Sequence, residues 1–167
     1  MKDIGIFYGS LTGTTKDIAY RIGRQLGVPE EDINNVADCA PSIVGEYRNL
    51  ILGSSTWNDG QLEKDWTDFL KGLETLDLRD KKIALFGCGD ETMKDTFCAA
   101  VGEMFTRLQK TGAKFIGDYD LTGYEITETP ARIDGKIVGL LLDEVNHPEA
   151  TTLRIAGWIN EIQPELK

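Results

Sequence analysis

Basic residues are scarce in this sequence of 167 residues, and the scarcity argues against several functions. Lysine and arginine together number 18 against 28 aspartates and glutamates, which gives a formal net charge of −10. A nucleic-acid-binding surface needs clustered basic side chains to neutralise phosphates, and no basic stripe is present. Nucleic acid is therefore not expected as a partner. The acidic surface serves either solubility or electrostatic steering towards a basic partner, and composition leaves both open.

Cysteine and histidine are too few for most metal or covalent chemistry. Cys39, Cys88 and Cys98 are too scattered for a four-cysteine zinc or iron–sulfur site. Their odd number, without a secretion signal, also argues against a disulfide framework. The single histidine, His147, has no serine or cysteine nucleophile motif to serve. We therefore predict no catalytic residue and no metal site, and expect any redox or transfer chemistry to come from an organic cofactor.

Long apolar runs are absent as well. No stretch approaches the ~18–20 apolar residues that a membrane-spanning helix requires. Met1-Lys2-Asp3 leads directly into a strand-like segment without the successive zones of a signal peptide. We therefore expect a cytoplasmic protein that does not contact membranes.

What the sequence does contain is an alternation of short apolar runs with amphipathic helical segments. The runs lack the polar alternation of half-exposed strands, which predicts a parallel sheet covered by helices on both faces. No repeat or linker interrupts the pattern, so we predict one α/β domain over residues 1–167. The predicted strands are Lys2–Tyr8, Asp32–Val36, Asn49–Ser54, Lys82–Cys88, and a last strand of Ala113–Gly117 and Lys136–Leu142 around the irregular stretch Asp118–Gly135. The helical faces carry Ile18, Ile22 and Leu26; Leu62, Trp66, Phe69, Leu70 and Leu73; Phe97, Val101, Met104, Phe105 and Leu108; and Ile155, Trp158, Ile159 and Ile162.

Ligands of such sheets bind beyond the carboxyl ends of the strands, so the loops there are the candidate sites. The first loop, Gly9–Thr15, offers backbone N–H groups at a helix start and four hydroxyls to an anion. It contains no lysine or arginine and matches neither the nucleoside-triphosphate nor the dinucleotide glycine pattern. A monophosphate held by neutral donors fits best, although a simple capped helix with solubilising hydroxyls remains open.

The second and third loops carry further ligand-type residues. The polar loop Ser55–Gly60 places Trp57 among residues that tolerate positive φ, which suits contact with a flat ligand. Packing of Trp57 beside Trp66 is the alternative. The third loop, Gly87–Asp95, allows close backbone approach and adds acidic residues, while Cys88 fits a small core residue better than thiol chemistry.

Together these loops resemble the flavodoxin family. The resemblance rests on Ser10-x-Thr12-Gly13-x-Thr15, Thr56-Trp57-Asn58-Asp59-Gly60 and Gly87-Cys88-Gly89-Asp90, collinear over the whole chain. It implies a doubly wound five-stranded parallel sheet of order 2-1-3-4-5, for which flavodoxin is a standard example. The interruption at Asp118–Gly135 resembles the insertion of the long-chain subgroup. Members of that subgroup usually carry a tyrosine in the third loop, and Met93 falls at its place here.

The resemblance further implies FMN as a non-covalent cofactor. Residues Ser10–Thr15 would hold the phosphate, while Ser55–Gly60 and Cys88–Phe97 would flank the isoalloxazine, with Trp57 against one face. The implied cofactor-binding residues are Ser10, Leu11, Thr12, Gly13, Thr14, Thr15, Ser55, Thr56, Trp57, Asn58, Asp59, Gly60, Cys88, Gly89, Asp90, Met93, Thr96 and Phe97.

The function implied is that of a low-potential electron carrier, not an enzyme, which cycles FMN between semiquinone and hydroquinone. Its expected partners are a flavodoxin or ferredoxin reductase-type donor and redox-enzyme acceptors with basic docking surfaces, and it is expected to act as a monomer. Acidic residues in or beside the loops would disfavour the anionic reduced cofactor and attract such partners. They are Asp59, Glu63, Asp65, Asp90, Glu91 and Asp95. An FMN-dependent quinone or nitro reductase and a flavin-free receiver module remain as alternatives.

Overall fold

Strands and helices alternate along the chain in the computed structural model, which describes residues 1–57 and 59–166. The strands are β1 (Lys2–Gly9), β2 (Ile33–Asn35), β3 (Tyr47–Trp57), β4 (Gln61–Leu62), β5 (Lys82–Cys88), β6 (Lys114–Ile116), β7 (Arg132–Ile133), β8 (Lys136–Ile137) and β9 (Leu140–Leu142). The α-helices are α1 (Thr14–Leu26), α2 (Trp66–Leu73), α3 (Ala99–Leu108) and α4 (Thr151–Ile162). Short 3₁₀ turns connect several of them.

The main sheet is parallel, with the order β2-β1-β3-β5-β6. Two short segments lie along β5 at the position of the last strand, because Ile83 pairs with Phe115 of β6 and Phe86 pairs with Leu140 of β9. Counting β6 and β9 as one interrupted strand, the predicted order 2-1-3-4-5 is confirmed. The antiparallel pair β7–β8 lies within the insertion that separates the two segments.

Both faces of the sheet are buried, which explains why its strands lack polar alternation. Successive side chains of a strand point to opposite faces, and Ile6 and Phe7 accordingly belong to different apolar clusters. One cluster packs α1 and α4 against the sheet through residues such as Ile18 and Trp158. The other packs α2 and α3 through residues such as Trp66. This arrangement leaves the carboxyl edge of the strands for the connecting loops.

Several predicted boundaries are wrong. Phe97, predicted on a helical face, precedes α3, which begins at Ala99. Ser55–Trp57 belong to β3 rather than to a loop, and Leu62 belongs to β4 rather than to the face of α2, because Thr56 pairs with Leu62 across a tight turn. This turn needs Gly60, whose φ of 96° favours glycine.

The predicted run Lys136–Leu142 also breaks into β8 and β9. Val138 and Gly139 separate the two strands, and a Cβ on Gly139 would lie 2.4 Å from the Leu85 carbonyl oxygen. Within the described part of the chain, no helix has the length and apolar character needed to cross a membrane.

Candidate functional site

A cavity of about 340 Å³ opens at the carboxyl edge of the sheet, within the size range of small-molecule sites. It lies where the chain leaves the adjacent strands β1 and β3 towards opposite faces, since β1 leads into α1 and β3 leads through β4 into α2. Such a switch point is the usual ligand position in open α/β sheets. The cavity is lined by Thr12, Thr14, Ser55, Thr56, Trp57, Cys88, Gly89, Asp90, Met93, Thr96, Glu144 and Val145.

The first loop presents neutral donors to this cavity. Gly13 precedes α1 with a φ of 94°, and its N–H donates to Ser10 Oγ at 3.0 Å. The first-turn amides of a helix lack intrahelical partners, and Gly13 has no side chain to cap them, so they are open to an anion. The hydroxyls of Thr12 and Thr14, 3.5 Å apart, lie on the same side. No cationic side chain lines the cavity among the described residues, so the donor set fits a phosphate group held without a counter-charge.

Other residues of the first loop point elsewhere. Leu11 is exposed to solvent, whereas Thr15 is buried and its hydroxyl donates to the Cys88 sulfur at 3.9 Å. Ser10, Leu11, Gly13 and Thr15 therefore shape the loop without lining the cavity.

The second loop places the Trp57 indole in the cavity wall. Its Nε1 donates to Ser55 Oγ at 2.6 Å, while Trp66 packs edge-on against Phe69 in the core. This placement favours contact of Trp57 with a ligand over packing of Trp57 beside Trp66. Thr56 accepts from the Ala100 N–H at 3.1 Å and so fixes the start of α3.

The tip of the second loop contributes less to the cavity lining than Ser55–Trp57. The Gly60 N–H donates to the Trp57 carbonyl at 3.1 Å, and neither Asp59 nor Gly60 lines the cavity. Asn58 lies outside the described residues, so its predicted cofactor contact stays a prediction.

The third loop also lines the cavity. Burial raises the pKa of the Cys88 thiol to about 12, so this side chain is a neutral lining residue at physiological pH. Asp90 accepts from the Thr92 hydroxyl at 2.6 Å and from its N–H at 2.9 Å, and these bonds hold the carboxyl pKa below its ordinary value. Met93 is half exposed at the rim, whereas Phe97 is buried edge-on against Tyr124 and does not line the cavity.

A fourth segment, which was not predicted, completes the site. Glu144 and Val145 follow β9 and line the cavity, and Glu144 Oε1 lies 3.6 Å from Arg21 Nη1 of α1. Their position could have been predicted, because the carboxyl ends of parallel strands share one edge of the sheet and Leu142 is a predicted strand end.

The acidic residues predicted in or beside the three loops are only partly at the surface. Asp59 and Asp95 are exposed, but Glu63 and Glu91 are buried. Burial raises the pKa of the Glu63 carboxyl. Its Oε2 accepts from the Asp65 N–H at 3.0 Å, while Oε1 has no hydrogen-bond partner among the described residues. Glu91 is paired inside the protein. Neither is a freely solvated charge at the rim.

One group of side chains resembles a metal site in composition. Glu91, Asp143 and His147 each place a ligand-type atom within 4.8 Å of the others. Asp143 already accepts from the N–H groups of Glu91 and Val145, at 3.0 and 2.9 Å, so its oxygens are engaged. We therefore assign no metal to the group.

A doubly wound parallel sheet with a cofactor-sized cavity at its switch point defines the class of nucleotide-binding α/β proteins. Within that class the chain belongs to the flavodoxin family, whose sequence model matches residues 6–158. Relatives include the flavodoxin of Synechocystis sp., 39% identical over 100% of this chain and 99% of that protein. The flavodoxin of Haemophilus influenzae is 38% identical over 99% of this chain and 97% of that protein.

Solved structures agree with this assignment. Fusobacterium nucleatum flavodoxin bound to flavin mononucleotide superposes with a TM-score of 0.89 and 36% identity, with 100% of both chains covered. Oxidised Flavodoxin 2 of Bacillus cereus gives a TM-score of 0.75 and 28% identity, with 99% of both chains covered. Family membership overturns the receiver-module alternative.

Proposed function

We propose that this chain is an electron carrier that binds FMN non-covalently in the cavity at the carboxyl edge of the sheet. The observation that carries the proposal is the lining of that cavity, which combines the neutral donors Thr12 and Thr14 with the apolar side chains of Trp57 and Met93. These two kinds of lining suit the phosphate and the flat ring of FMN, the cofactor that the Fusobacterium nucleatum relative binds. FMN supplies the redox chemistry, and the protein binds, orients and shields it.

Residues Ser10–Thr15 hold the phosphate in this proposal. The amides at the start of α1 and the hydroxyls of Thr12 and Thr14 donate to it, while Gly13 supplies the left-handed turn that aims them. Ser55–Gly60 and Cys88–Phe97 flank the ring, with Trp57 on one face and Met93 at the other. The residues of these segments that do not line the cavity act by fixing the loops.

The finer assignments follow from the same features. The insertion between β6 and β9 supports membership of the long-chain subgroup. One continuous sheet with a core on each face supports a single FMN-binding domain over residues 1–167.

We further assign partners and location. The exposed carboxylates Asp59 and Asp95, beside the loops, suit a reductase-type donor and acceptor enzymes with basic docking surfaces. The free thiols of Cys39, Cys88 and Cys98 suit a reducing cytoplasm. Exposed large apolar side chains among the described residues are few, which supports a monomer.

Cofactor binding by the apoprotein tests the proposal. FMN should bind with the visible spectrum of a bound flavin, and riboflavin should bind much more weakly because it lacks the phosphate. Equal affinity for both would refute the assignment of the first loop. Steady NADPH oxidation by the holoprotein without an added reductase would favour the flavin reductase alternative.

A further inference from the structure

A buried carboxylate ties three separate segments together beside the cavity. Glu91 belongs to the third loop and is only 6% exposed. Its Oε1 meets Nε2 of His147 from the loop after β9, and its Oε2 accepts from the Glu125 N–H of the insertion at 3.0 Å. We call the Glu91–His147 contact, together with the Glu125 N–H bond, the clasp.

A second carboxylate fixes the loop that carries His147. Asp143 is 1% exposed and accepts from the backbone N–H groups of Glu91, Val145 and Asn146 at 2.8–3.0 Å. The side-chain amide of Asn146 bridges Asp143 and Asp90, at 2.8 and 2.7 Å. These bonds hold both loops in register, so His147 meets Glu91 at a defined position.

The surroundings of His147 are acidic on several sides. Glu91 faces it from the third loop, Asp143 from its own loop, and Glu149 Oε1 lies 3.6 Å from its Nδ1. From the insertion the Tyr124 ring lies edge-on at 5.5 Å, and the Arg154 guanidinium of α4 lies over that ring at 3.9 Å from its centroid. Asp90 is linked to the group through Asn146.

This environment favours the charged imidazolium. The hydrogen bond to Glu91, followed by the negative charges of Glu91, Asp143 and Glu149, raises the pKa of His147 above its ordinary value of 6.5. Burial of Tyr124 raises the pKa of its phenol, so that ring remains neutral. Of the titratable side chains around the clasp, His147 is therefore the one whose charge changes nearest to neutral pH.

We propose that the Glu91–His147 pair is a proton-controlled clasp that holds the third loop in the shape required by the cofactor. The proposal rests on the proposed function, because Asp90 and Met93 on either side of Glu91 line the cavity. With His147 charged, the buried Glu91 carboxylate has a cationic donor, and charge-assisted hydrogen bonds are roughly twice as strong as neutral ones. Loss of the proton leaves a buried anion beside a neutral ring, which weakens the clasp.

The sign of the pH dependence follows from the direction of the pKa shift. A histidine whose pKa is raised on folding contributes stability that is fully present below about pH 6.5 and is lost as the pH rises through the higher folded value. The third loop is therefore held most tightly at mildly acidic pH and loosens in the alkaline direction. By reciprocal linkage, binding of FMN should favour protonation of His147.

The pH dependence of FMN binding tests the clasp in the full-length protein. His147→Gln keeps a donor to Glu91 but does not titrate, and Glu149→Gln is a matched control that removes an exposed neighbouring charge while leaving the clasp in place. Between pH 6 and 9, we expect FMN affinity of the wild type to fall about threefold to tenfold more than that of His147→Gln. Glu149→Gln should show the same fall in affinity, displaced towards lower pH, because it removes one of the negative charges that raise the pKa of His147. Parallel curves for wild type and His147→Gln would overturn the proposal.

A second measurement does not depend on the cofactor. NMR of the single histidine in the apoprotein should give a pKa above 6.5, and amide exchange at Glu91 and Glu125, corrected for its intrinsic pH dependence, should accelerate through the same titration. His147→Gln should lack that acceleration. Exchange independent of His147 titration, or a wild-type curve altered by EDTA, would overturn the proposal. Failure of FMN to bind would refute the proposed function and leave the exchange result readable.

Discussion

Trp57→Ala should weaken FMN binding much more than Met93→Ala, because the two side chains offer very different contact areas. Aromatic side chains bury about 150–250 Å², so one face against a ring accounts for roughly 100 Å². At ~25 cal/mol/Å² this contributes about 2.5 kcal/mol. Met93 is already half exposed at the rim, and a thioether–aromatic contact contributes only roughly 0.3–1.5 kcal/mol. We therefore expect a difference of about 1 kcal/mol or more, which corresponds to about fivefold in the dissociation constant.

The hydrogen bond from the Trp57 indole to Ser55 Oγ complicates a simple deletion, so two control variants separate its contribution. Trp57→Phe keeps an aromatic face and loses the bond, whereas Ser55→Ala removes only the acceptor. We expect both to bind FMN more tightly than Trp57→Ala, since stacking rather than the bond supplies most of the free energy.

Titration of each apoprotein with FMN, followed by quenching of flavin fluorescence, measures these differences. Urea unfolding of the apoproteins checks that the substitutions leave the fold intact. A penalty for Met93→Ala equal to or larger than that for Trp57→Ala would show that the assignment of the stacking face is wrong.

Three further substitutions probe other parts of the site. Thr12→Val should weaken FMN binding by about 1–3 kcal/mol without changing riboflavin binding, because a donor to the phosphate is lost; equal losses for both ligands in titrations would contradict this. Asp59→Pro, compared with Asp59→Ala, should change the separation of the two one-electron potentials in redox titrations, because proline restricts the turn closed by Gly60; unchanged potentials would refute it. Glu63→Gln should raise the free energy of unfolding at pH 8 and not near pH 4, because burial raises the carboxyl pKa and wild-type stability falls as the pH rises through it. Denaturant unfolding at both pH values measures this, and an equal effect at the two pH values would contradict it.

The parts of the fold that local sequence determines were predictable. Uninterrupted apolar runs such as Lys82–Cys88 require burial on both faces, and this strand has the predicted bounds. Gly27 ends α1 in the left-handed conformation, and its N–H donates to the carbonyls of Arg24 and Gly23, as expected for a helix closed by glycine. The hydroxyl-rich first loop also reaches the cavity through Thr12 and Thr14.

The features that could not be predicted from the sequence depend on contacts between distant segments of the chain. From the sequence, Glu91 is expected to be a solvated charge in a polar loop. It is buried because it contacts His147, 56 residues away. The same register of β9 on β5 brings Glu144 into the cavity, although its neighbours form no recognisable motif. The hairpin of β3 and β4 was not predicted because β4 has only two residues and its pairing is set by the turn at Gly60.

The lengths of the strands have a consequence for how this molecule behaves in a crowded solution. The interior strands β3 and β5 have 11 and 7 residues, whereas the outer strands β2 and β6 have 3 residues each, as does β9. An unpaired outer strand offers its free N–H and C=O groups to another chain, and shortening it removes that template. The apolar strands most suited to amyloid-like stacking therefore lie where no second molecule reaches their backbone. An electron carrier with edges this short is thus protected from joining its own copies edge to edge.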